Sequence, residues 1–219
     1  TNVAIQKTTF KYEIPYMLLI TAVLLVMGMT GNEITFIEGV ILWVLFIAYL
    51  LYLYFLAKKG NDSGDEQPVK LYPVWKCLLF IVLGGVCVVI GSQLVVNGAT
   101  TIARACGMSE RFIGLTIVAF GTSLPELVTS VSAARKGNAG IAIGNIVGSN
   151  IFNILFVIGT VALICPVPFE SRFVIDTVVA ILCGVLLWGG TIRHKELRKP
   201  CGVVMLLCYA AYFVYLAAM

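Results

Sequence analysis

Seven apolar stretches, at 14–29, 36–57, 75–105, 112–134, 140–165, 173–190 and 202–219, occupy most of this 219-residue chain. About 20 helical residues cross the roughly 30 Å hydrocarbon layer of a bilayer, and only helices or closed barrels satisfy their own backbone there. The pattern predicts an all-α polytopic transmembrane helix bundle of about seven crossings, with the lipid bilayer as its surroundings. Composition agrees: 60% of residues are hydrophobic and 12% are charged, about half the charge of a soluble domain. The first stretch is short and the third long, and Gly84-Gly85, Gly91 and Gly98 are where the third would bend.

The one obvious linker is 58–73, which holds Asn61-Asp62-Ser63-Gly64-Asp65-Glu66. It separates two crossings (1–57) from five (74–219). Lys and Arg collect in short cytoplasmic loops. With a cytoplasmic N-terminus, that side carries Lys7, Lys11, Lys58, Lys59, Lys70, Lys76, Arg135, Lys136, Arg193, Lys195, Arg198 and Lys199, against Arg104, Arg111 and Arg172 outside. The expected location is the cell membrane, multi-pass, with an extracellular C-terminus. A net charge of +4 follows from this asymmetry and calls for no nucleic-acid partner. Seven cysteines without a Cys-x-x-Cys pair predict packing rather than metal or redox chemistry. His194, among Arg193, Lys195, Arg198 and Lys199, reads as a solvated loop residue. No cofactor and no enzymatic activity are expected. The first residues lack the marks of a signal peptide, and further sequence is expected upstream.

An internal repeat organises the rest. Gly39-Val40 and Ala48-Tyr49-x-x-Tyr52-Leu53 recur as Gly202-Val203 and Ala211-Tyr212-x-x-Tyr215-Leu216 at a constant offset of 163, with Glu33 and Glu196 in the same register. Crossings one and two then close one five-helix unit, and 74–219 forms a second. Five is odd, so consecutive units enter the membrane from opposite sides. Such inverted plans place their sites at mid-membrane on broken helices. On this reading the first unit lacks three helices here, to be supplied by further chain or by a second copy.

Among eleven acidic residues, only Glu126 falls deep within a crossing. It ends the run Gly121-Thr122-Ser123-Leu124-Pro125-Glu126. A charge at mid-depth is disfavoured by roughly 3 kcal/mol, and a proline inside a helix by about as much again. On a continuous helix Ala119, Thr122, Ser123 and Glu126 share one face, and Pro125, lacking an N–H, frees the carbonyl of Gly121. Carbonyls, hydroxyls and few carboxylates are hard oxygen ligands suited to sodium or calcium. The next crossing adds Asn145, Ser149 and Asn153 at steps of four, beside Asn150, and the short turn 135–138 makes the two helices antiparallel neighbours. Glu126 and Asn153 are expected at comparable depth. Gly140, Gly144 and Gly148 form a row that predicts a closely approaching helix. Pro125 alone would read as a kink, and the Asn/Ser stripe alone as interhelical hydrogen bonding. Together with Glu126 at one depth they point to a site.

The segments Gly114-Leu-Thr-Ile-Val-Ala-Phe-Gly-Thr-Ser-Leu-Pro-Glu126-Leu-Val-Thr-Ser130 and Gly144-Asn-Ile-Val-Gly-Ser-Asn-Ile-Phe-Asn-Ile-Leu155 resemble the second alpha-repeat of the calcium/cation antiporter superfamily, closest to prokaryotic sodium/calcium exchangers. The resemblance spans 112–156. It implies a ten-helix fold of two inverted five-helix units and exchange of Ca2+ for Na+ by alternating access. It also implies that Glu126 is a central ligand, that Thr122, Ser123 and the Ala119 carbonyl contribute oxygens, and that Ser149 and Asn153 complete this half of the site. The first helix of the unit, 75–105, would move across a static core. Asn153 stands where some members carry an acid, and a proton/calcium exchanger is the alternative within the superfamily. A cation channel or pore subunit is the rival outside it, and a membrane scaffold without transport is another.

Overall fold

The computed structural model describes residues 3–59, 73–108, 110–192 and 196–218, so most of the polar linker and His194 lie outside the described residues. Nearly all of it is helical. Helix α1 (Thr9–Gly31) begins with a wide π turn at Thr9–Glu13, tolerates Pro15 in its first α turn, and stops at Asn32 in the left-handed region (φ 55°). Helix α2 (Phe36–Lys59) opens on a capping box, in which Thr35 N and Oγ1 donate to Glu38 Oε2 at 2.7 and 2.9 Å. Helix α3 (Val74–Ala105) runs 32 residues without interruption. The glycines expected to bend it do not, because the backbone ladder continues through them.

The fourth crossing is two helices, α4 (110–122) and α5 (Leu124–Arg135), meeting at 50°. Helix α6 (139–164) is continuous but widens into a π segment at Asn153–Ile158. Helices α7 (Ser171–Ile192) and α8 (Lys199–Ala218) follow. Five of these helices are each long and apolar enough to cross a bilayer, and the bent pair makes a sixth. The apolar part of α8, Lys199–Tyr215, is shorter. The seventh crossing is thus not established by length alone.

Close packing is built on small residues, as expected where surrounding lipid removes any hydrophobic drive between helices. At Gly39 of α2, an added Cβ would stand 2.9 Å from Ala162 Cβ and 3.1 Å from the Gly159 carbonyl of α6. Around that contact Trp43, Phe46, Phe152 and Phe156 form an aromatic cluster with centroids 4.7–5.9 Å apart. Trp43 Nε1 donates to Thr160 Oγ1 at 3.2 Å. Helix α1 lies at the centre, with Ile14 and Ile20 fully buried, and packs on α7, α6 and the start of its own loop. The glycine row of α6 behaves differently from its expectation. Gly140 meets Gln6, but Gly144 and Gly148 face open space.

Two short ribbons, absent from the sequence reading, tie the loops. Strand β1 (Val3–Ala4) pairs with β4 (Glu196–Leu197), and β2 (Glu33–Ile34) with β3 (Val167–Pro168). The order β1–α1–β2–α2 recurs as β3–α7–β4–α8, with Phe36 and Lys199, the first residues of α2 and α8, again 163 apart. Exchanging the two sets turns one ribbon into the other pair for pair. Val3↔Leu197 becomes Val167↔Ile34, and Ala4↔Glu196 becomes Pro168↔Glu33. Strands β1 and β2 lie at opposite ends of α1 in the chain.

Candidate cation site

The break in the fourth crossing is local chemistry. Pro125 has no N–H to offer, so the ladder ends at Thr122 and Ser123 takes φ −92°, ψ 0°. Leu124 and Pro125 then start α5, where a proline in the first turn loses no intrahelical bond. The expectation of one unbroken face through Ala119, Thr122, Ser123 and Glu126 therefore needs correction. Ala119 and Thr122 bound the last turn of α4, Ser123 is the hinge, and Glu126 lies beyond a 50° bend.

The freed Gly121 carbonyl is not left idle. Ser92 Oγ of α3 donates to it at 2.7 Å. A side chain at Gly121 would collide with Val96, one turn along the same helix. Thr100, a further turn on, holds a buried hydroxyl without a partner. Positions 92, 96 and 100 are one stripe of α3, and Ser92 and Val96 of it meet Gly121 at the break. The sequence reading missed these residues, although Ser92, Gln93, Asn97, Thr100 and Thr101 do crowd the C-terminal half of an otherwise apolar helix.

Thr122 and Ser123 are exposed at the hinge, and Glu126 is half-buried with Oε2 enclosed and without a hydrogen-bond partner. An enclosed carboxylate oxygen with no donor is energetically unfavourable. A cation at that oxygen would relieve it. Behind the carboxylate, Asn145 of α6 fixes the first turn of α5. Its Nδ2 lies 3.2 Å from the Glu126 carbonyl, 3.0 Å from Thr129 Oγ1 and 3.0 Å from Ser130 Oγ. Thr129 Oγ1 in turn reaches the Pro125 and Glu126 carbonyls at 2.9 and 3.0 Å.

These bonds set the register of the antiparallel pair, and Asn145, rather than Asn153, stands abreast of Glu126. Counting back along α5 and α4, Ser149 falls abreast of the hinge and Asn153 near Ala119. The equal depth expected for Glu126 and Asn153 is off by about two turns. Ser149 Oγ donates to the Ile146 carbonyl at 3.1 Å, leaving its lone pairs for another partner. Asn153 is exposed at the junction where α6 widens. Such π turns frequently mark functional positions, because they release backbone carbonyls. Among the described residues no three His, Cys, Asp or Glu side chains gather as a metal cluster.

Comparison with known proteins follows the same lines. The sodium-calcium exchanger NCX_Mj, solved after soaking with zero Na+ and Ca2+, superposes with TM-score 0.77 at 30% identity over 99% of this chain and 68% of its own. The CaxA protein of Alkalimonas amylolytica is 34% identical over 96% of this chain and 69% of its own length. The sodium/calcium exchanger MaX1 of Methanosarcina acetivorans is 38% identical over 64% of this chain and 41% of its own. The chain thus spans between two fifths and seven tenths of these relatives.

The fold is that of a membrane cation exchanger, a transporter and not an enzyme. The chain belongs to the sodium/calcium exchanger protein family, whose profile matches residues 76–218. That match favours exchange over the channel reading.

Proposed function

We propose that this chain is the C-terminal portion of an antiporter that exchanges calcium for sodium across the cell membrane by alternating access. The observation that carries the reading is the enclosed, unpartnered Oε2 of Glu126 beside a proline break in an apolar helix. Glu126 is the central ligand for both ions. Thr122, Ser123, Ser149, Asn153 and the Ala119 carbonyl supply neutral oxygens. Sodium and calcium compete for such a set because both are hard cations that accept carbonyl and hydroxyl oxygens.

One carboxylate balances half the charge of Ca2+, and an uncompensated charge in low dielectric is strongly disfavoured. The complete site therefore takes a second carboxylate from three further helices or from a second copy of the chain. The recurrence of β1–α1–β2–α2 as β3–α7–β4–α8 supports a ten-helix plan of two inverted units, in which α8 is the last crossing and its end is extracellular. Apart from Ala103, α3 is half-buried or exposed along its length, which supports its assignment as the moving helix.

Sodium-gradient-driven uptake of radiolabelled calcium into vesicles tests the proposal. Uptake should collapse in Glu126→Gln, and uptake equal to wild type would remove Glu126 from the mechanism. A proton gradient that drives uptake as well as sodium does would favour the proton-coupled alternative.

A further inference from the structure

The recurring Ala-Tyr-x-x-Tyr motif takes no part in the cation site, yet each copy lines a groove. The first groove lies between α1 and α2, holds about 290 Å3, and is walled by Tyr12, Glu13, Tyr16, Ala48, Tyr49 and Tyr52. The second lies between α7 and α8, holds about 500 Å3, and includes Ile175, Val179, Ala211, Tyr212 and Tyr215. These are the same positions 163 residues on, with Ile175 and Val179 in place of Tyr12 and Tyr16.

The shared tyrosines match closely. Tyr49 and Tyr52 have centroids 6.2 Å apart at 26°, and Tyr212 and Tyr215 have 6.3 Å and 26°. The acids differ. Tyr212 Oη donates to Asp176 Oδ1 at 2.6 Å, so both groups are engaged. In the first groove Tyr16 instead donates to the Leu45 carbonyl at 2.9 Å. Glu13 is 9% exposed with Thr9 as its hydrogen-bond partner, and Tyr52 Oη is enclosed with no partner. Tyr16 stacks on Tyr49 at 5.5 Å and Tyr12 approaches Tyr52 at 6.1 Å, which brings the wall to four rings.

A buried carboxylate, four aromatic faces and an unsatisfied hydroxyl suit an ammonium that carries N–H donors. The carboxylate supplies the opposite charge and the rings add cation–π attraction. The hydroxyl accepts an N–H that a quaternary ammonium lacks. Glu13 is the fifth residue of the span Thr9–Gly31, and Tyr52 the seventh from the end of Phe36–Lys58. At 1.5 Å per residue both lie within about 10 Å of a helix end, the level of lipid headgroups. Tyr12 is half exposed, and Lys11 Nζ stands 5.3 Å from its ring, beside the exit a phosphate would occupy.

We propose that the α1–α2 groove binds the ammonium headgroup of an aminophospholipid, phosphatidylethanolamine in type, and that the α7–α8 groove does not. Its persistence in a complete protein rests on the two-unit reading above. The α7–α8 groove stays open with α3–α6 of its own unit present, and the α1–α2 groove stays open with α3–α6 of the opposite unit present. By the pseudo-symmetry, three added helices would close neither.

Native mass spectrometry of the protein released from nanodiscs of mixed phosphatidylethanolamine, phosphatidylcholine and phosphatidylglycerol tests this. One phosphatidylethanolamine should be retained. Retention should fall roughly tenfold in Glu13→Gln and about threefold in Tyr52→Phe, which keeps the ring and its packing. Asp176→Asn should leave it unchanged. Equal retention of the three lipids, or undiminished retention in both groove variants, overturns the proposal. Soluble ethanolamine competing at the concentration of the lipid overturns the lipid as the occupant. Should Glu13→Gln fail to fold, Tyr52→Phe decides. Retention is read without an ion gradient, so an absence of calcium exchange would sink the transport reading and leave this one standing.

Discussion

The crossing formed by α4 and α5 breaks at Ser123 with a 50° bend, whereas α6 stays continuous and only widens at Asn153–Ile158. Both disturb the helical ladder beside the candidate ligands, and α4 also holds a π segment at Gly114–Val118, one turn before its break. In the first, one covalent feature, the missing N–H of Pro125, ends a helix and starts another. In the second, no residue forbids the α turn, and Phe152 and Phe156, at and within the widened stretch, pack on Phe46 of α2. A chemical break gives a fixed hinge beside Glu126, the charged residue of the candidate site. The widened stretch keeps its neutral oxygens on a continuous helix that packs against α2.

The widest separation between the two helices should appear in transport. Glu126→Ala removes the carboxylate of the candidate site and should abolish sodium-driven calcium uptake, while Asn153→Ala or Ser149→Ala should weaken apparent calcium affinity by about tenfold or less, the scale of one neutral hydrogen-bonding ligand. Equal effects from the two helices would erase the distinction.

Pro125→Ala sharpens it further. Because Pro125 sits in the first turn of α5, its removal should change the melting free energy by less than about 1 kcal/mol, well under the roughly 3 kcal/mol of a mid-helix proline. Calcium uptake should nonetheless fall, since the restored backbone N–H can donate to the Gly121 carbonyl and straighten the hinge. A thermal melt and an uptake assay on the same variant separate these outcomes.

Asn145→Ala addresses the clamp between the helices. It removes the donor to the Glu126 carbonyl, Thr129 and Ser130, and should lower stability by about 1–2 kcal/mol in a denaturant or thermal titration. A loss of affinity without a loss of stability would instead make Asn145 a ligand.

The smallest effect belongs to the corner between the end of α3 and the start of α4. Arg104 Nε and Nη2 donate to Glu110 at 2.6 and 2.9 Å, and this hydrogen-bonded pair holds the Glu110 carboxyl below its ordinary range. A lowered folded-state value means that the contribution is present above the ordinary carboxylate pKa and is lost as pH falls through the lowered one. Both side chains are exposed, so the loss should be slight. Melting curves of wild type and Glu110→Gln should converge under acid conditions.

Much of the candidate site was legible because its main features are single residues with strong local rules. Glu126 in hydrocarbon and Pro125 beside it are improbable unless used, and each is visible without coordinates. The interval of 163 was visible because repeated residues keep their spacing, and the helix starts at Phe36 and Lys199 obey it. Ser92 and Val96 were not legible as neighbours of the break. They lie some thirty residues away, and only the crossing of α3 over the hinge brings them there.

Sequence by itself determined that the chain is a helical membrane protein, where one of its apolar stretches breaks, and which carboxylate lies beside that break. Helix formation in lipid, the chemistry of proline and the energy of a buried charge are local and leave little choice. Tertiary structure alone decided the register between α5 and α6, which puts Asn145 beside Glu126 and Asn153 two turns away. It also decided the capture of the Gly121 carbonyl by Ser92, the π turn at Asn153, and the pairing of ribbons from distant loops. Those depend on how rigid helices fit against one another, a property of shape shared between segments and written in no single one of them.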